Sequence, residues 1–405
     1  MTSPNDSSAA LDVSTNWIQR GRAAEKHGAQ GLADALACYD RAIAVLLNAA
    51  AEVSADVGGT GSVRSADDTE IVLPKYAQTH VIRCLDAAAF ADPRVRHTLG
   101  IAHMNRGNVL QRLADAGAIE EAVRAYDTAI QHLETLDSGS CNLRSYALTT
   151  YALQNSIGAA WMNRGHALHR LGDARLGDAA ASHRTAIAWL SRLPRDDNPA
   201  VVCNLTGAQL NLANVLLDLG GAQRILEARD IARAALLTIA PLEEGPGIFA
   251  TDLSLRARRS LCDALGQLLA LETTPRETQE DIADELGDTV EAGLVLSRNC
   301  EQQPQWSALR EATLRLFRIG ARLYALHQPH FLAEFLLEHL DRPMSFDPAD
   351  WHAVADEALT LAEERTGRTG LFFLEDAASQ RALEVIASIA HARRQLASRR
   401  SVATA

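Results

Sequence analysis

The 405-residue chain predicts an all-α fold, a solenoid of stacked helical hairpins, and three observations carry that reading. First, one phrase recurs with small changes. Trp161-Met162-Asn163-Arg164-Gly165-His166-Ala167-Leu168-His169-Arg170-Leu171-Gly172 is echoed upstream by Met104-Asn105-Arg106-Gly107-Asn108-Val109-Leu110-Gln111-Arg112-Leu113. Downstream it returns as Leu210-Asn211-Leu212-Ala213-Asn214-Val215-Leu216-Leu217-Asp218-Leu219-Gly220, and a weaker copy, Trp17-Ile18-Gln19-Arg20-Gly21, stands near the start. Repetition of a fixed phrase marks one supersecondary unit stacked several times. Second, the chain exceeds the usual single-core size, whereas a solenoid grows without a centre. Third, Ala, Leu, Arg and Glu fill the segments between breaks, aromatics are only 5%, and no alternating Val/Ile/Thr run marks a strand.

Taken in order, residues 1–13 are expected as a disordered tail, and a helical repeat array is expected over 14–300. Trp17 to Lys26 begins the first helix, Gly28 to Gly31 supplies a turn, and Leu32 to Asn48 is the partner helix, with Ala35, Tyr39 and Ala42 at helical spacing. The same small-ring-small pattern returns as Ala122, Tyr126, Ala129, then Ala179, His183, Ala186, and then Ala228, Ala232, Ala235. Residues 54–72, rich in Gly, Ser, Thr and Asp, are expected as a flexible loop. Gly58-Gly59-Thr60-Gly61-Ser62 within it lacks the lysine and the preceding strand of a phosphate loop. Asp92-Pro93, Asn198-Pro199 and Asp347-Pro348 each set an N-cap residue before a first-turn proline. The helices carrying Asn105 and Asn211 should therefore start early and run to roughly 20 residues.

Beyond Gly220 the pattern fades. Leu255 to Leu271 with Ile282 to Ser297, and Ala308 to His327 with Pro329 to Leu340, read as degenerate helical pairs. Ala349 to Arg365 and Leu371 to Arg394 would close the stack. Residues 301–397 are thus expected as degenerate repeats and a cap, because a terminal unit must turn one face to water, and 398–405 as a tail.

An aromatic four residues before a glycine (Trp17 and Gly21, Trp161 and Gly165), followed by a second helix with Ala, a ring and Ala, resembles the tetratricopeptide repeat family. The resemblance implies a right-handed superhelix with a concave groove and a role in protein–protein interaction. Gly21, Gly107 and Gly165, with Ala213 in the fourth copy, are expected mid-helix, where glycine costs about 1 kcal/mol relative to alanine, so close helix approach is the reason for them. The phrase departs from the family in its intervals of 86, 58 and 48 residues, against about 34 for an ordinary member.

Candidate binding residues come from a polar stripe two before, one after and five after each phrase glycine, offsets that share one helix face. It reads Gln19, Arg22, Lys26, then Asn105, Asn108, Arg112, then Asn163, His166, Arg170, then Asn211, Asn214, Asp218. Helix propensity disfavours asparagine in a helix interior, so the register asks for another cause. In tetratricopeptide superhelices this face lines the groove, and an asparagine ladder there resembles the one by which O-linked N-acetylglucosaminyltransferases hold an extended peptide backbone. An amide both donates and accepts, as a peptide unit does. Arg22, Lys26, Asn105, Asn108, Arg112, Asn163, His166, Arg170, Asn211 and Asn214 are the expected peptide site, and an acidic segment or free carboxylate is the expected partner chemistry. The alternative is that these side chains bond one another and only hold the pitch of the array, as a structural or self-assembling repeat protein would. Arg106 and Arg164, one before the glycine, are expected in structural ion pairs with Asp40 and Asp127.

The formal net charge of −12 opposes a general nucleic-acid or anionic-membrane surface. Residues 1–14 lack a basic region and an apolar core, and no uninterrupted run of 18 apolar residues occurs, so a cytoplasmic protein is expected. Cys38, Cys84, Cys141, Cys203, Cys262 and Cys300 are scattered without disulfide or zinc spacing. His166, His169 and His183, and His327, His330, Glu334 and His339, would support a metal-dependent activity only if three or four ligands converged. His183 holds a core ring position. With no catalytic motif in the chain, neither enzyme, metal nor cofactor is expected.

Overall fold

The computed structural model describes residues 4–58, 92–113, 115–138, 150–195, 198–243, 248–271, 276–300, 309–341 and 348–370, with a short piece at 391–392 and 394–396. Those residues form α-helices with two short 3-10 helical turns, with no strand among them, and the protein is an all-helical repeat solenoid. The helices are α1 (Pro4–Glu25), α2 (Leu32–Gly58), α3 (Pro93–Leu113), α4 (Ala116–Ser138), α5 (Thr150–Arg170), α6 (Leu176–Leu190) and α7 (Pro199–Leu219). They continue as α8 (Ala222–Glu243), α9 (Ile248–Leu269), α10 (Arg276–Asn299), α11 (Arg310–His327), α12 (Pro329–Asp341) and α13 (Pro348–Gly370). By contacts the chain divides into two compact units, Met1–Asn211 and Leu212–Ala405. That division falls inside α7, not at residue 300, where the sequence suggested a change from array to degenerate repeats.

In the first unit consecutive helices pack from α1 to α6, and α3 touches both α1 and α5. Both long helices expected from the aspartate-proline and asparagine-proline starts, α3 and α7, are 21 residues. Asp92 caps α3 by accepting a hydrogen bond at Oδ1 from the Arg94 amide at 2.9 Å. Gly172 after α5 adopts φ +92°, a left-handed stop that a residue with a Cβ resists.

The expected amino-terminal tail is corrected: residues 4–13 belong to α1. Proline suits a first helical turn, and Leu11, Ser14 and Ile18 recur at near-heptad spacing and are all buried, with Leu11 and Ile18 in the cluster that holds Tyr39 and Leu46. Residues 54–58 of the expected loop complete α2, while 59–72 lie outside the described residues, as do 371–390 of the expected cap and the tail at 398–405.

In the second unit α8 packs on α9, α9 on α10, α10 on α11 and α11 on both α12 and α13. Its core includes Phe317, fully buried and stacked on Phe335 with ring centroids 5.4 Å apart. Helix α7 is long and apolar enough to cross a membrane by composition, and 61% of the relevant window is buried inside the protein.

Candidate functional site

The stripe is positioned by a knob that each hairpin builds from a glycine and a ring. A methyl group added at Gly21 would lie 2.7 Å from the Tyr39 ring, one at Gly107 2.7 Å from Tyr126, and one at Gly165 2.6 Å from His183. Each ring is fully buried, so the glycine is what lets the two helices close over it. The fourth copy exchanges both partners together, with Ala213 for the glycine and Ala232 for the ring, and both alanines are buried. A second knob lies seven residues upstream: a methyl at Gly100 would meet Leu133 at 2.7 Å and one at Gly158 would meet Leu190 at 2.5 Å. Sequence reading missed this second position, although glycines at 100, 107, 158 and 165 repeat the heptad plainly.

From these knobs the polar side chains meet in register across hairpins. Tyr126 donates its hydroxyl to Asn108 Oδ1 at 2.8 Å, and Asn163 Nδ2, from the next hairpin, donates to the same oxygen at 3.0 Å. Gln111 Nε2 donates both to the Tyr126 hydroxyl at 3.0 Å and to the backbone carbonyl of Asn163 at 2.9 Å, which uses its two hydrogens. Burial drives the Tyr126 hydroxyl far above the ordinary tyrosine range, with the Glu25 charge adding to it and the Gln111 bond opposing, so the group serves as a fixed donor.

One hairpin earlier the same position is Glu25. It accepts the Tyr39 hydroxyl at 2.6 Å on one oxygen and the Arg112 guanidinium at 2.9 Å on the other. Arg112 and Arg170, expected to flank a ligand, thus reach back to the preceding hairpin: Arg112 to Glu25, including its backbone carbonyl at 3.4 Å, and Arg170 to the carbonyl of Gln111. Sequence reading missed Glu25 and Gln111, both four residues past a phrase glycine.

The remaining stripe positions separate. Arg22 and Lys26 are exposed and make no ion pair with a described residue. Asn105 is buried and its Nδ2 has no hydrogen-bond partner among the described residues. His166 is exposed, and Asn211 is half-buried at the end of the first unit. Asn214 belongs to the second unit, where its Oδ1 accepts from Ser260 at 2.8 Å. A further asparagine pair, Asn204 Nδ2 to Asn155 Oδ1 at 3.1 Å, lies outside the offsets read from sequence.

The arginines before the phrase glycines are spent on structure. Arg106 Nε meets Asp40 at 2.7 Å and Arg164 Nε meets Asp127 at 2.6 Å, each joining one hairpin to the previous one. Among the histidines, His183 is packed against Gly165, and burial, with the His166 and His169 charges, lowers its pKa to about 3. His339 is buried against Phe317 and Phe335 and bonds the Phe335 carbonyl at 2.9 Å, and burial lowers its pKa as well. Among the described residues no three His, Cys, Asp or Glu side chains converge as a metal-ligand set. Cys38, Cys203, Cys262 and Cys300 are free thiols, and Cys84 and Cys141 lie outside the described residues.

No protein-family profile and no curated protein sequence matches the chain. Among solved structures it is similar to a "circular tandem repeat protein with novel repeat topology and enhanced subunit contact surfaces", with 12% identity, coverage of 98% of this chain and 79% of that chain, and a TM-score of 0.23. A likeness that distant carries no argument about function. The helices and their bonds in register define the class: a helical tandem-repeat scaffold.

Proposed function

We propose that this scaffold is a protein-interaction adaptor of tetratricopeptide type that holds an extended peptide along the Asn108–Asn163 rung. The observation that carries the reading is what the rung leaves unused. Asn108 spends its Oδ1 on Tyr126 and Asn163, and Asn163 spends one Nδ2 hydrogen on Asn108. The Nδ2 group of Asn108 and the Oδ1 of Asn163 bond no described residue, and both side chains are half-buried, open on one side. A fixed donor beside a fixed acceptor matches one peptide unit without reading its side chain. Arg22 and Lys26 supply uncommitted positive charge for an acidic segment or a terminal carboxylate, so affinity is expected to fall with salt.

The second reading, a rung that only braces the array, is favoured by the same Asn163-to-Asn108 bond. Asn108→Asp separates the two. The carboxylate keeps both internal acceptor bonds but turns the outward donor into a second acceptor. Binding to arrayed acidic peptides, and capture of the partner from a lysate, should weaken roughly tenfold or more, the equivalent of ~1.4 kcal/mol, at an unchanged melting temperature. Unchanged capture by that variant would leave only the brace.

A further inference from the structure

The second unit holds a cleft of about 460 Å³ whose chemistry differs from that of the stripe. Helix α10 presents Asp284, Gly287, Asp288 and Glu291 to it at i, i+3, i+4 and i+7, a single helical face. Helix α12 answers with Glu334 and Glu338, and with Phe331, which is 46% exposed. The end of α11 forms the floor with Tyr324, whose ring lies 4.8 Å from Phe335. A methyl group at Gly287 would lie 3.3 Å from the Tyr324 hydroxyl, so the bare glycine keeps that side of the cleft open.

Two features of the cleft bear on what it would hold. Large aromatic side chains gain by leaving water, yet the Phe331 ring stands in the open rim. The carboxylates converge from facing helices, and none forms an ion pair with a described residue. The nearest relief is a neutral one, from Gln328 Nε2 to Asp284 at 2.9 Å. Burial and then the Glu338 charge push the Glu291 carboxyl up, opposed by Arg298. Burial and the surrounding carboxylates hold the Tyr324 hydroxyl up at about 12. An aromatic wall beside carboxylates that form no ion pair with a described residue suits a cation that is itself partly apolar. The carboxylates are spread too widely to close on one metal ion, since no three of them converge as a ligand set.

We propose that this cleft between α10, α11 and α12 is a binding site for an organic cation, an alkylammonium or guanidinium group on an aliphatic stem, with the charge among Asp288, Glu291 and Glu338 and the stem against Phe331 and Tyr324. The site is separate from the stripe, so the two readings stand or fall apart.

Calorimetric titration of the full chain with spermidine, and with a short capped peptide carrying lysine and arginine, tests it. Saturable one-to-one binding is expected for at least one probe. Asp288→Asn combined with Glu291→Gln should weaken it tenfold or more, with a melting temperature no lower than that of the parent because like charges are removed, and Phe331→Ala should weaken it several-fold. Tighter binding of the peptide identifies a partner's side chain as the source of the cation, and tighter binding of spermidine identifies a free polyamine. Absence of saturable binding at millimolar probe overturns the proposal. Equal binding by the variants, or displacement by magnesium at the spermidine concentration, also overturns it by showing only a diffuse counterion cloud.

Discussion

Replacing Gly107 by alanine tests the knob on which the stripe depends. The added carbon would lie 2.7 Å from two ring carbons of Tyr126, where an ordinary contact needs 3.4 Å or more. The ring has no room to retreat, being fully buried and held at its hydroxyl by Gln111 and Asn108. Overpacking of this kind costs ~1–3 kcal/mol. The gain in helix propensity returns ~1 kcal/mol, so the net loss should be about 1 kcal/mol. Gly266, in the last turn of α9, is the control: it is exposed and a methyl there meets nothing within 4 Å, so the same change should stabilise. Tyr126→Ala alone should cost ~3–5 kcal/mol by opening a cavity. The double variant reproduces the Ala213 and Ala232 pair of the fourth hairpin, so its cost should fall short of the sum by at least ~1 kcal/mol. Urea melts followed by circular dichroism give all these values. Additive costs, or a stabilising Gly107→Ala, would refute the argument that glycine is there for the ring.

Two further outcomes are expected. Tyr126→Phe removes two buried hydrogen bonds and strands one Gln111 hydrogen, so it should cost ~2 kcal/mol in the same melts, and a neutral result would show that the hub contributes no stability. His183 has its pKa lowered to about 3 by burial, against an ordinary value of 6.5 that the unfolded chain recovers. Below pH 6.5 only the unfolded state takes up that proton, so this stability is complete above pH 6.5 and is lost as pH falls toward 3. In His183→Phe the slope of stability against pH over that window should lessen by up to one proton, ~1.4 kcal/mol per pH unit. An unaltered slope would show that His183 is already charged in the folded protein.

Much of the fold was legible because it is local. Helical periodicity, the prolines that open α3 and α7 and the four-fold phrase specify helices, their lengths and the face each hairpin buries. The ion pairs of Arg106 with Asp40 and Arg164 with Asp127 were legible too, since each charge sits one residue from a glycine or a ring whose packing place is known. The helical start at residue 4 was not, because Leu11 and Ser14 count as core only once α2 covers them.

The stripe shows where sequence stops. Sequence alone determined that Asn108, Asn163, Arg112 and Arg170 share one face of successive helices. Whether those groups look outward or grip one another depends on the stagger between hairpins. The glycine knobs set that stagger by letting the helices close on Tyr39, Tyr126 and His183. Only in the folded chain do Arg112 and Arg170 reach back to Glu25 and Gln111, leaving Arg22 and Lys26 uncommitted. The acidic cleft of the second unit is likewise invisible in the chain, because Asp288, Tyr324 and Phe331 come from three helices with no shared phrase. Hydrogen bonds and charges act over a few ångströms, a distance that helical periodicity along one segment does not fix between two.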